Sequence, residues 1–155
     1  MFKATNIAPV SNYDDKRKKP AVEHRNPAIP NGVYNWILCG PTGCGKTNFF
    51  MNLLFDYLKF DYIYIYASSA ADQDVYIEVM RKLDDIANEY DKDPAEIYFF
   101  SNNLSDVKPI AALDKTKINL VVFDDFVVAK NQSVIEEYFV RGRHKNCISM
   151  YLSQT

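Results

Sequence analysis

Apolar positions along the chain fall into two alternating kinds of run. Val33-Tyr34-Asn35-Trp36-Ile37-Leu38-Cys39 is nearly continuous and reads as a buried strand. Phe50, Leu53, Leu54, Tyr57 and Leu58 follow at i, i+3, i+4, i+7 and i+8, one apolar face of a helix. Asp61-Tyr62-Ile63-Tyr64-Ile65-Tyr66-Ala67 is aromatic and β-branched, the composition of a strand covered on both faces, so its tyrosines are core rather than a stacking platform. Residues 75–90 return to helical spacing, with Tyr76, Val79, Leu83, Ile86 and Tyr90 on one face. Ile97-Tyr98-Phe99-Phe100 and Leu120-Val121-Val122-Phe123 read as two more strands. Ser133-Val134-Ile135-Glu136 has the form of a capping box, opening a helix that buries Val134, Ile135, Tyr138 and Phe139, with Gly142 placed to end it. A last apolar strand, Cys147–Leu152, leads into Ser153-Gln154-Thr155. Strands alternating with helices predict an α/β fold, a mostly parallel sheet with helices on both faces.

Between the first strand and the first helix stands Gly40-Pro41-Thr42-Gly43-Cys44-Gly45-Lys46-Thr47, which fits G-x-x-x-x-G-K-[ST], the Walker A phosphate loop. Small residues there let successive backbone N–H groups turn toward one anion, and the helix that follows presents its own unpaired N–H groups to the same charge. Gly43 and Gly45 permit that backbone, Lys46 adds a point charge, and the Thr47 hydroxyl can reach Mg2+. A glycine-rich turn in an ordinary α/β protein is the plainer alternative; the strand before the loop and the amphipathic helix after it favour the cradle.

The strand Leu120–Phe123 ends in two carboxylates, Asp124 and Asp125. Ligands of open α/β sheets bind beyond the carboxyl ends of strands, so this strand would bring its acids to the phosphate site. Asp124 would hold Mg2+ through water, and Asp125 would orient or deprotonate the water attacking the γ-phosphate. A solvated strand-end turn is the alternative reading of such a pair. If the last strand lies between the loop strand and the acidic strand, the Gln154 amide would face the γ-phosphate; otherwise it is simply the end of the chain. The stretch from Thr47 to Asp124 is long enough for two further strands and a long helix, which suits ATPases that activate water beside the metal ligand. No Asn-Lys-x-Asp guanine motif is present, and Arg141-Gly142-Arg143 is too short for the lid of a small-molecule kinase.

Length and composition change this picture little. The 155 residues suit one domain, 48% of them hydrophobic and 25% charged. No run approaches the roughly 18 apolar residues of a membrane span, and Met1–Asn6 lacks the apolar core of a signal peptide. Cys39, Cys44 and Cys147 have neither disulfide-framework nor zinc-site spacing. With a net charge of −2, nucleic-acid binding would need a local patch or a ring of subunits. Residues 1–32 hold Pro9, Pro20, Pro27, Pro30 and the basic run Lys16-Arg17-Lys18-Lys19, and read as an extended or disordered arm before a core at 33–155. The run is a candidate polyanion contact or nuclear address, or only a solvated stretch.

Taken together, Gly40–Thr47, Phe123-Asp124-Asp125, Arg141-Gly142-Arg143-His144-Lys145-Asn146-Cys147-Ile148 and Leu152-Ser153-Gln154 resemble the genome-packaging ATPases of large double-stranded DNA viruses, virophages and polinton-like elements. That is the poxvirus-type branch of the FtsK/HerA superfamily of P-loop ATPases, and the resemblance spans residues 33–155. It implies a RecA-like (ASCE) core with strand order 5-1-4-3-2, assembly into a homo-oligomeric ring, and ATP and Mg2+ as cofactors. It further implies movement of double-stranded DNA into a capsid, with a capsid or portal component as partner, in the virion or at the assembly site in the host cytoplasm. By position Lys46 and Thr47 match the phosphate and Mg2+ residues, Asp124 the metal acid, Asp125 the catalytic acid and Gln154 the polar sensor. The wider superfamily more often has Glu where Asp125 stands, and the shorter side chain reaches less far. Ring ATPases of this kind also place an arginine on a neighbour's γ-phosphate; Arg143 is preferred over Arg141, which falls in a helix's last turn and suits its dipole. Surface charge is the alternative for both arginines, and contact with DNA phosphates for His144 and Lys145.

A complete core of that family continues with a further strand beside the phosphate-loop strand, so the expectation is a chain truncated after the sensor strand, its loop strand left with an apolar edge. Two other functions stay open at this point: a nucleotide-binding module without turnover, and a small-molecule phosphotransferase of the P-loop fold.

Overall fold

The computed structural model describes residues 22–68, 74–126 and 132–154. Its elements are β1 (Asn35–Cys39), α1 (Lys46–Asn52), β2 (Tyr62–Ala67), α2 (Asp74–Glu89), β3 (Tyr98–Ser101), β4 (Asn119–Asp124), α3 (Ser133–Arg141) and β5 (Cys147–Ser153). The five strands form one sheet in the order β1-β5-β4-β2-β3, and every neighbouring pair is parallel. Parallel strands need crossovers long enough to return the chain to the same end, which is what the helical runs between the apolar ones supply.

Because side chains alternate along a strand, the sheet has two apolar faces. Ile63, Ile65, Leu120, Val122, Ile148 and Met150 pack with Phe50, Leu53 and Leu54 of the α1 region and with Tyr76, Val79 and Leu83 of α2. Tyr64, Tyr66, Val121, Phe123 and Cys147 face the other way, against Ile135 and Tyr138 of α3. Helices thus flank both faces, and the β2 tyrosines are core as the sequence predicts.

α1 runs on into a π-helical turn, Leu53–Tyr57, closed by Leu58 N–H donating to the Leu53 carbonyl at 2.8 Å. That wider turn brings Leu58 onto the buried face with Leu53 and Leu54. At the start of the sheet, buried Asn119 donates through Nδ2 to the Asp114, Lys117 and Lys145 carbonyls, tying the turns before β4 and β5 together. Residues 22–32 pack beside this end. His24 Nε2 lies 2.8 Å from the Gly32 carbonyl, His24 Nδ1 accepts from Lys59 N–H at 3.3 Å, and Asn26 N–H donates to the Tyr57 carbonyl. The basic run Lys16–Lys19 lies outside the described residues.

Three sequence expectations change. β1 is not a buried strand: it is the sheet's margin, pairing only with β5 among the described residues, and Ile37 is 66% exposed. Tyr90 lies one residue past the end of α2 and is exposed, while Ala87 occupies the buried stripe that the spacing assigned to it. Ser133 is the first residue of α3 rather than its cap; Gln132 holds the cap position. Gly142 stands at the C-cap of α3, as the sequence predicts, but not in the left-handed conformation. Its φ is −53°, the chain continues in a 3-10 turn through Lys145, and the left-handed residue is Asn146 at φ 52°. Glycine is required at 142 for closeness, since a Cβ there would lie 2.9 Å from Ser149 Oγ of β5. Among the described residues no helix is long and apolar enough to cross a membrane.

Candidate functional site

β5 lies between β1 and β4, as the reading of Gln154 required, so three strand ends meet at one end of the sheet. β1 delivers the loop Gly40–Thr47, β4 delivers Asp124 and Asp125, and β5 delivers Gln154.

The loop's shape follows from its glycines. Gly43 and Gly45 have φ of 80° and 89°, a region that L side chains enter only at a cost, and added Cβ atoms would meet nothing within 4 Å. They are needed for backbone direction alone. Gly40 is needed for approach: a Cβ there would lie 2.8 Å from Cys44 Sγ. Gly45 caps α1, so the helix's first N–H groups open toward the loop. Lys46 Nζ donates to the Gly40 and Pro41 carbonyls at 2.5 and 3.0 Å, a curled side chain held by its own loop. Thr47 is half-buried beside it in the first turn, on a depression of about 230 Å3 that Gly43, Gly45 and Val75 also line.

Both ends of the Gln154 amide are engaged. Thr42 Oγ1 donates to its Oε1 at 2.9 Å, and its Nε2 donates to Asp125 Oδ2 at 3.4 Å. The backbone repeats the same ties: Gly40 N–H donates to the Ser153 carbonyl and Asp125 N–H to the Leu152 carbonyl. The loop, the last strand and the second acid are therefore joined by two hydrogen-bonded routes.

The two acids differ in setting. Asp125 sits in the left-handed region at φ 59°, uncommon for a residue other than glycine, asparagine or aspartate, and its carbonyl accepts from Ser68 Oγ at 2.8 Å. That kink turns it off the line of β4. Asp124 is half-buried, and Tyr76 Oη donates to its Oδ2 at 2.5 Å. Burial pushes the Asp124 carboxyl above the usual carboxylate range; the Tyr76 hydrogen bond opposes this, the Asp125 charge adds to it, and the Lys46 charge opposes it.

No group of three His, Cys, Asp or Glu side chains suited to a metal lies together among the described residues. Mg2+ does not need one, because it keeps several waters and is held by one or two carboxylates with substrate phosphates. The oxygen-only pair of Thr47 and Asp124 fits such an ion.

The arginines lie elsewhere. Arg141 ends α3 and pairs with Glu137 at 2.9 Å, and Arg143 is exposed on the 3-10 turn before β5. β5 separates that turn from Gln154, a span of roughly 20 Å at the usual rise of a strand. Within one chain, neither arginine joins the loop and the acids.

Three contacts escaped the sequence reading. Thr42 appears there only as part of the cradle, Ser68 not at all, and Tyr76 only as core. A hydroxyl on the buried face of a helix needs a hydrogen-bond partner, and that was the available signal for Tyr76.

The sequence profile of the Poxvirus A32 protein family matches residues 23–155, all but the first 22 residues of the chain. No curated protein matches it. With that share of its length covered, the chain belongs to the Poxvirus A32 protein family.

Proposed function

We propose that this protein is an ATPase that moves double-stranded DNA, packaging a viral genome into its capsid, and that its site is Gly40–Thr47, Asp124, Asp125 and Gln154. The observation that carries the reading is the Thr42–Gln154–Asp125 chain of hydrogen bonds, which links a phosphate-loop sequence to a strand-end acid through the residue expected to sense the γ-phosphate. The strand order β1-β5-β4-β2 agrees with the 1-4-3-2 part of a RecA-like sheet. Family membership agrees with a role in viral DNA packaging.

In this reading, residues 33–155 are the ATPase core and residues 1–32 an arm. Backbone N–H groups of Gly43–Thr47 wrap the β-phosphate, and Lys46 exchanges the carbonyls of Gly40 and Pro41 for phosphate oxygens. Thr47 and Asp124 hold Mg2+, which when bound neutralises charge on the β- and γ-phosphates. Asp125 orients the attacking water and accepts its proton, and Gln154 couples that carboxylate to the loop. Arg143 acts on the γ-phosphate of a neighbouring subunit, a role that its distance from its own loop accommodates. The partners are duplex DNA, further copies of this chain in a ring, and a capsid or portal component. Action is in the virion or at the assembly site in the host cell.

The test is phosphate release from Mg-ATP by the 155-residue chain, with and without duplex DNA, against Lys46→Ala as the blank. Release that DNA stimulates and the variant lacks is the expected result. ATP binding without release under either condition would replace this reading with a nucleotide-binding module. Transfer of phosphate to a nucleoside or metabolite would replace it with a phosphotransferase.

A further inference from the structure

We infer that Tyr76 is a positioning residue for the divalent cation of this site, holding Asp124 by a hydrogen bond from α2. The inference rests on the proposed nucleotide site and adds to it a residue outside the loop and the strand ends.

Tyr76 is fully buried, and its ring packs 6.1 Å from the Phe100 ring of β3, tilted by 48°. The core on that face also encloses Val79 and Leu83 from the same helix. A phenol fixed in this way can aim its hydroxyl in few directions, and this one meets Asp124 Oδ2. Among the described residues no other side chain donates to the Asp124 carboxylate; the nearby Ser68 N–H donates instead to the Asp124 main-chain carbonyl at 3.1 Å.

A carboxylate at the end of a strand turns easily about its last torsion, so a half-buried acid without a donor samples several planes. The Tyr76 bond selects one plane and occupies one oxygen, leaving the other for the cation's shell. Partners of this kind set the orientation of metal-binding groups, and their removal typically weakens metal binding about 10- to 100-fold.

The test compares wild type, Tyr76→Phe, Asp124→Asn and the double variant. Mn2+ is titrated in the presence of ADP and followed by loss of the free-ion spin-resonance signal; ADP binding without metal and thermal unfolding are measured alongside. The expected result is an apparent Mn2+ dissociation constant raised roughly tenfold in Tyr76→Phe, with metal-free ADP binding unchanged. The same substitution in the Asp124→Asn background should add little, because the bond it removes no longer bears on a charged ligand. In turnover, the loss should lie in Mg2+ half-saturation more than in kcat at saturating Mg2+. Wild-type Mn2+ binding in Tyr76→Phe would overturn the inference and leave the nucleotide site standing. Equal losses in both backgrounds, or a parallel loss of metal-free ADP binding, would reduce Tyr76 to a packing residue. Failure of the wild type itself to bind ADP would overturn the nucleotide site and this inference together. If Tyr76→Phe does not unfold cooperatively, Tyr76→Met carries the same comparison.

Discussion

β1 and β4 both border β5 and both carry chemistry to the same end of the sheet, but they are held very differently. β4 is buried from Asn119 to Phe123, with neighbours on both sides and helices over both faces. β1 has one neighbour among the described residues and alternates between exposed and half-buried positions. The acids therefore stand on a fixed base, while the loop Gly40–Thr47 is tied from one side, through Ser153 and Gln154 of β5. This division suits a site in which the acids keep their place and the loop closes on a ligand.

Function should divide along the same line. Lys46→Ala removes the loop's only fixed cation and should abolish measurable nucleotide binding and turnover. Asp125→Asn should keep ATP binding and cut hydrolysis by about 10²- to 10⁴-fold, the usual worth of a positioned base. Asparagine tolerates the left-handed backbone at position 125, so folding stability should hold and the comparison stays clean. Binding is read by titration with ATP and hydrolysis by phosphate release; equal losses of binding in the two variants would break the assignment of separate roles.

Stability should divide more simply. Phe123→Ala empties a site packed between the Tyr66 and Tyr138 rings, at centroid distances of 5.5 and 5.4 Å, and should cost about 3–5 kcal/mol in urea unfolding. Ile37→Ala on β1 should stay within about 0.5 kcal/mol, because the side chain is already 66% exposed. A cost at Ile37 approaching that at Phe123 would mean that β1 is covered in solution, and concentration-dependent unfolding would then identify the cover as another copy of the chain.

What the sequence made legible follows this contrast as well. Period-2 and period-3.6 patterns report burial by an element's own neighbours, so β2, β4, β5, α1 and α2 could be read from spacing. The same pattern cannot say which strand is outermost: β1 reads as buried from its apolar composition, and its place at the margin was to be expected only from the strand order that the resemblance implied. Gly142 stands at the end of α3 as the sequence predicts, but the need for glycine there is set by Ser149, seven residues on and across the sheet's face, while a capping rule sees only neighbours along the chain. The loop and the two acids could be proposed from the chain alone because each stands in consecutive residues. Tyr76 was not, because what distinguishes it from other buried residues of α2 is a partner on a distant strand.

The cysteines give the mildest probe of the same contrast. Cys39 at the end of β1 and Cys44 in the loop are exposed, whereas Cys147 at the start of β5 is buried and its thiol is pushed up to about 12 by that burial, with Ser149 opposing. Only the thiolate attacks a disulfide reagent, so burial keeps Cys147 in its unreactive form even where the reagent can reach it. The sign is fixed: a raised thiol pKa lowers reactivity at every pH below it. With a chromogenic disulfide, two thiols should react promptly and the third only as the sheet opens, at a rate that rises with urea. Mg-ATP should slow one of the prompt pair, Cys44, and a Cys39→Ser variant identifies which signal is protected. Prompt reaction of all three thiols would mean that the β5 end of the sheet opens as readily as its β1 margin, and the distinction between a fixed centre and an adaptable edge would fall.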